Sequence, residues 1–114
     1  MNHDALQLSP LEKQILEVLW QERRLKVRNI HDRIKGKAAL TSVAVALDRL
    51  HKEGIVGRSI ETGRGGLRYV YFPEKSRQEF EQSVVERAVK GLVDRFGTKA
   101  VAYFAERFER GNKK

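Results

Sequence analysis

Apolar residues in the first half of the chain recur at the spacing of three short helices. Ser9-Pro10-Leu11-Glu12 forms a capping box with proline at the first helical position, which predicts a helix from there to about Trp20. A second helix is predicted over residues 28–34, and a third from residue 40 or 41 to Glu53. The third helix has apolar residues at i, i+3, i+4 and i+7, the spacing of a core-facing stripe: Val43, Ala46, Leu47 and Leu50.

A β-hairpin is predicted after the third helix. Residues 55–62 and 67–72 are rich in β-branched and aromatic side chains, and they flank the turn sequence Gly63-Arg64-Gly65-Gly66. Together with a short extended piece at residues 25–27, the element order becomes α-β-α-α-β-β, which is the order of a winged helix-turn-helix. The expected core of this domain consists of Leu11, Ile15, Leu19, Ile30, Val43, Leu47, Leu50, Ile55 and Tyr69.

From Ser76 onward the apolar pattern is wholly helical, and Gly97 divides it into two amphipathic helices. We therefore expect a mostly helical α+β fold with a winged-helix domain at residues 1–75 and a helical region at 76–114. The two last helices have no third partner in the chain, so we expect them to bury their apolar faces against a second copy; folding back onto the winged domain is the alternative. The residues assigned to this dimer contact are Phe80, Val84, Ala88, Leu92, Phe96, Val101, Phe104 and Phe108.

The third helix has the character of a DNA-recognition helix. Opposite its apolar stripe it carries small and polar residues followed by cations: Ser42, Val45, Arg49 and Lys52. Cations at such positions can contact phosphate or a guanine edge. The hairpin that follows adds Arg64 and Arg68. A helix of this kind followed by a basic hairpin predicts DNA binding.

Charge favours the same kind of partner. The 114 residues include 23 Lys and Arg against 15 Asp and Glu, a net charge of +8, and such a balance favours polyanions. Residues 23–37 hold seven cations and one acid. A solvated basic loop is one interpretation of this run. Its position before the recognition helix favours contacts with the DNA backbone, for which we selected Arg24, Lys26, Arg28 and Lys37.

Several other classes of function lack support in the sequence. Cysteine is absent, which excludes disulfides, thiolate metal sites and cysteine catalysis. The three histidines are scattered without acidic partners at ligand spacing, so we expect no enzyme activity, no metal and no cofactor. Residues 1–7 do not have the pattern of a signal peptide, and no apolar run exceeds five residues. We expect a cytoplasmic protein without membrane insertion.

Four stretches carry a family resemblance: LSPLE (8–12) with ILEVLW (15–20), LTSV (40–43) with LDRL (47–50) and GIV (54–56), GRGG (63–66) with RYVY (68–71), and LVDRFG (92–97) with FAER (104–107). They resemble the penicillinase-repressor family of winged-helix transcriptional repressors. The resemblance implies a homodimeric repressor on a dyad-symmetric operator, with helix 41–53 in the major groove and the wing on flanking backbone or minor groove. By position, it implies groove contacts from Thr41, Ser42 and Arg49, with Arg64 at the wing tip.

The chain departs from this family in two respects. Members often carry hydroxyl residues at the positions of Val45 and Ala46, and an apolar Val45 can instead touch a thymine methyl group. Antibiotic-responsive members are released by cleavage at an Asn-Phe bond, and copper-responsive relatives use a cysteine cluster. No asparagine in this chain precedes phenylalanine, and there is no cysteine. The identity of any inducer or sensor protein is therefore left open.

Two alternatives to a sequence-specific repressor belong to other classes. Winged helices also serve as protein-interaction adaptors, here for an acidic partner, but such surfaces favour aromatic anchors and the outward face of the third helix has none. A non-specific binder of double-stranded nucleic acid is the second alternative, because a basic surface alone does not distinguish specific from non-specific binding.

Overall fold

The helices and strands follow one another in the predicted order. A computed structural model describes residues 8–34 and 38–112. Within these ranges lie five helices and three strands: α1 (Pro10–Glu22), β1 (Leu25–Lys26), α2 (Val27–Ile34), α3 (Leu40–Lys52), β2 (Val56–Gly63), β3 (Gly66–Pro73), α4 (Arg77–Phe96) and α5 (Thr98–Asn112). The α-β-α-α-β-β order of a winged helix is confirmed. Lys37, an expected phosphate contact, lies outside the described residues.

Local sequence signals determine the ends of the first and third helices. The Ser9 hydroxyl accepts a hydrogen bond from the backbone N–H of Glu12 at 3.1 Å, and the Glu12 carboxylate accepts one from the Ser9 N–H at 2.8 Å. The capping box is therefore confirmed. Helix α3 ends just before Gly54, whose φ of +77° lies in the left-handed region that favours glycine.

The three strands form one antiparallel sheet in the order β1-β3-β2. In the β2–β3 hairpin, pairing runs from Val56 opposite Pro73 to Gly63 opposite Gly66. The short strand β1 pairs with the other edge of β3, placing Leu25 opposite Tyr71. Strand β3 is therefore the centre of the sheet.

The core lies between the first three helices and the base of the hairpin. Its buried members are Ile15, Leu16, Leu19, Ile30, Ile34, Val43, Ala46, Leu47, Leu50, Val56 and Tyr71. The apolar stripe of α3 is confirmed, and the predicted core residues Leu11 and Ile55 are partly buried against this cluster. The prediction for Tyr69 is wrong, since its side chain is 43% exposed. Residues 60–69 are all exposed because this distal part of the hairpin extends past the core.

The chain divides into two compact units, Met1–Phe80 and Glu81–Lys114. The first unit continues beyond the predicted boundary at Lys75 because Trp20 holds the start of α4. The Trp20 indole N–H donates to the carbonyl of Lys75 at 3.0 Å, and the Trp20 and Phe80 ring centroids lie 5.6 Å apart. Phe80, which sequence spacing had grouped with the dimer contact, thus packs against the winged unit.

The second unit contains the rest of α4 and all of α5, which are separated by Gly97 at a φ of +66°. Of the residues assigned to dimerisation, Val84, Ala88 and Phe104 are half-buried. The large apolar residues that are exposed in this unit are Val85, Val89, Leu92, Phe96, Val101, Tyr103 and Phe108. In the described part of the chain, no helix is long and apolar enough to cross a membrane.

Candidate nucleic-acid interface

The first half of α3 presents a small, exposed surface. Thr41 and Ser42 are exposed in its first turn, and Val45 follows with 68% of its surface exposed. Residues three and four positions apart are neighbours on a helix, so these three side chains form one patch. We call Thr41, Ser42 and Val45 the α3 patch. The N-cap residue of α3 is Ala39, whose methyl group cannot accept the helix's first N–H groups.

Arg49 does not extend this patch outward as the sequence had suggested. Its Nη1 donates to both carboxylate oxygens of Glu12, at 3.0 Å to Oε1 and 2.9 Å to Oε2. The Glu12 side chain is 3% exposed and that of Arg49 is 33% exposed. The same Glu12 carboxylate closes the capping box of α1. Arg49 therefore turns toward α1, and the ion pair joins the start of α1 to α3.

Lys52 and the wing meet at Asp48. Lys52 Nζ lies 3.2 Å from Asp48 Oδ2, and Arg58 of β2 donates to Asp48 Oδ1 at 3.1 Å. Hydrogen bonds from Lys52 and then from Arg58 hold the pKa of Asp48 below its ordinary value. The Arg58 guanidinium also lies 4.2 Å from the Tyr69 ring centroid. These contacts connect the base of the wing to the second half of α3.

A cleft of about 580 Å³ lies between the starts of α2 and α3 and strand β3. Predicted contacts from three separate segments converge there: Lys26, Arg28, Thr41 and Arg68. Asn29 and Tyr69 also line it. The cleft shares Thr41 with the α3 patch, and its three cations and this hydroxyl suit a phosphate group. We call it the basic cleft.

Not every cation of the 23–37 run is directed to the basic cleft. Arg24 pairs with Glu61 at 2.9 Å, and Arg33 pairs with Glu22. Arg28, by contrast, is exposed at the start of α2 and lines the basic cleft. Arg64 is exposed in the two-residue turn of the hairpin and does not line the basic cleft. The basic run is thus partly engaged in surface ion pairs.

The histidines of the described segments serve the fold. His31 Nε2 donates to the carbonyl of Ala38 at 3.0 Å, and His51 Nδ1 donates to the carbonyl of Val56 at 3.2 Å. Within residues 8–34 and 38–112, no three His, Cys, Asp or Glu side chains group as a metal site.

Comparison with known proteins identifies the family. The sequence profile described as "Penicillinase repressor" matches residues 8–112. The chain belongs to the penicillinase repressor family. Membership makes it a transcriptional regulator, and the order of its helices and strands is that of a winged helix. None of the curated proteins matches the chain.

Solved structures agree with the fold that this repressor family predicts. A possible transcriptional regulator from Methanosarcina mazei Go1 is similar with a TM-score of 0.68 and 20% identity, over 87% of this chain and 82% of that one. A PadR family transcription regulator from Clostridium difficile R20291 gives 0.51 and 14%, over 77% and 98%. The multiple antibiotic resistance repressor MarR gives 0.50 and 16%, over 90% and 78%.

Sequence reasoning missed Glu12 as the partner of Arg49 and Asp48 as the partner of Arg58. In both pairs an acid and a base lie on different elements, and only the packed fold brings them together. It also missed the place of Tyr69 at the basic cleft. The one feature of the sequence that could have indicated the exposure of Tyr69 is the glycine-rich turn nearby, which indicates that the hairpin tip extends away from the core.

Proposed function

We propose that this regulator is a homodimeric repressor that binds a dyad-symmetric operator with sequence specificity. The observation that carries the proposal is that the exposed α3 patch adjoins the basic cleft. A sequence-specific protein needs both surfaces, since base contacts give specificity and phosphate contacts position the protein on the duplex. The major groove admits an α-helix. Helix α3 enters it with Thr41, Ser42 and Val45 toward the base edges.

Backbone contacts come from the cations around the patch. Arg28 and Arg68 line the basic cleft with Lys26, and they contact phosphates next to the groove that α3 occupies. The uncapped start of α3 adds N–H groups and the positive end of its helix dipole. Arg64 reaches flanking backbone or the minor groove from the wing tip, and Lys52 and Lys37 add positive charge. Most of this energy is independent of sequence and sensitive to salt.

The second copy binds through the exposed apolar residues of the second unit. Val85, Val89, Leu92 and Phe96 follow one another at intervals of four, three and four residues, so they form one stripe along α4. We call these four residues the α4 stripe. A solvated helix rarely carries such a continuous apolar stripe. Val101 and Phe108 of α5 are exposed as well and extend the contact.

Selection of bound sequences from random duplex DNA by the purified full chain tests the proposal. We expect the enriched sequences to contain two like half-sites in inverted orientation, with centres separated by about one helical turn (~10 bp) or a multiple of it. Enrichment of a single, asymmetric site would contradict a symmetric dimer. No enrichment at all would leave a non-specific binder or a protein-interaction adaptor.

A further inference from the structure

The α3 patch offers hydroxyl and methyl groups to a ligand, and Arg49 and Lys52 of the same helix do not belong to it. Arg49 makes two hydrogen bonds to Glu12, and Lys52 lies about two turns beyond Val45, beside Asp48. Val45 is the apolar member of the patch; it is 68% exposed and lies one turn after Thr41 and Ser42 on the same side of α3. The chemistry of base recognition therefore depends on these three side chains.

The ion pair of Arg49 is costly to open. A buried carboxylate that loses its counter-charge is strongly destabilised, whereas an exposed one is not. The Glu12 side chain is 3% exposed, so a move of Arg49 toward a guanine would leave that carboxylate unpaired. Since a guanine contact would have to offset this loss, we expect Arg49 to stay with Glu12 when DNA is bound.

Major-groove chemistry assigns a target to the exposed valine. Thymine is the base that presents a methyl group there, while guanine and adenine present acceptors that an isopropyl group cannot satisfy. Covering those acceptors with Val45 would remove their water without replacing its hydrogen bonds. Contact with a thymine C5-methyl buries apolar surface on both sides at no such cost.

We propose that Val45 is a specificity-determining residue that reads the C5-methyl group of one thymine in each operator half-site. This inference rests on the proposed function, since it names what the α3 patch recognises. Thr41 and Ser42 lie one turn nearer the start of α3 and contact neighbouring bases or phosphates through their hydroxyl groups. The half-site therefore contains a thymine at the position that faces Val45.

Replacement of thymine by deoxyuridine tests the proposal, because it deletes the methyl group and keeps every hydrogen-bonding group. In the duplex enriched by selection, thymines are replaced one symmetric pair at a time, and binding by the full chain is titrated. Burying one methyl group changes affinity about fourfold, so we expect one pair of positions at which replacement weakens binding roughly 15-fold. The Val45→Ala variant should bind the thymine duplex more weakly and distinguish thymine from uracil there by less than about twofold.

Ile60→Ala is the matched control. Ile60 is a similarly exposed β-branched residue on β2, and its truncation should leave the thymine-to-uracil ratio unchanged whatever it does to overall affinity. If no replacement alters binding, or if the ratio survives in Val45→Ala, the inference is overturned while the repressor function stands. If selection enriches no sequence, the proposed function itself fails.

Discussion

The Nη1 atom of Arg49, in the last turn of α3, donates to both carboxylate oxygens of Glu12, in the first turn of α1. Glu12 also caps its own helix through the Ser9 N–H. One buried carboxylate therefore both caps the start of α1 and holds α3 against α1. We therefore expect the orientation of the α3 patch to depend on this pair.

Breaking the pair should destabilise the protein. Arg49→Ala leaves a buried carboxylate, and we expect a loss of about 2–4 kcal/mol in the free energy of unfolding, measured by urea denaturation. Adding Glu12→Gln to Arg49→Ala should recover part of that loss, because a neutral amide is less costly to bury. Lys90→Ala, which opens the exposed pair with Asp94, should cost less than about 0.5 kcal/mol. Losses that simply add in the double variant would show that the two residues are not coupled.

Gly57 should tolerate no side chain. A Cβ at this position would lie 2.3 Å from Cε1 of the Phe72 ring and 2.6 Å from Glu74 Oε2, and Phe72 is its register partner on β3. Gly57→Ala must displace the ring, so we expect a loss of roughly 1–3 kcal/mol in the free energy of unfolding. Gly63→Ala in the same strand is the control, since nothing lies within 4 Å of its added Cβ. Equal stability of the two variants would refute this packing.

Acid should weaken the contact between α3 and the wing. The pKa of Asp48 is lowered by hydrogen bonds from Lys52 and Arg58, so its ionised form is stabilised by folding. The stabilisation that ionised Asp48 gives the fold is fully present above the ordinary aspartate pKa of about 4. It is lost as the pH falls through the lowered pKa of the folded state. Thermal unfolding of wild type and Asp48→Asn should therefore differ at pH 6, with wild type more stable, and the difference should shrink toward pH 3. A difference independent of pH would assign the effect to packing.

Local signals in the sequence account for most of the fold. The capping box at Ser9 and the glycine-rich turn at residues 63–66 are each complete within a few residues, and both were predicted. Tyr69 was wrongly assigned to the core because the alternation of apolar and polar residues along a strand does not reveal how far the core extends. The contact of Arg49 was missed for a different reason. Helical spacing correctly separated it from the apolar stripe, but its partner Glu12 lies 37 residues away in sequence, and spacing carries no information about that contact.

The α4 stripe should hold the dimer. Leu92→Glu places a charge at the centre of this apolar row, so we expect sedimentation to show monomers where the wild-type chain sediments as a dimer. Affinity for a two-half-site operator should fall by about 10²–10⁴, because the second half-site no longer benefits from tethering, while affinity for a single half-site should stay the same. Arg87→Glu, on the opposite side of α4 by helical spacing, should remain dimeric. A dimeric Leu92→Glu variant would place the interface elsewhere.

Sequence-specific DNA binding is the central claim, and one binding ratio tests it most directly. The full chain is titrated at physiological salt with the duplex enriched by selection and with a scrambled duplex of the same composition. We expect the enriched duplex to bind at least about 10³-fold more tightly, the lower range for specific regulators. Equal affinity for the two duplexes would contradict the assignment of base recognition to Thr41, Ser42 and Val45.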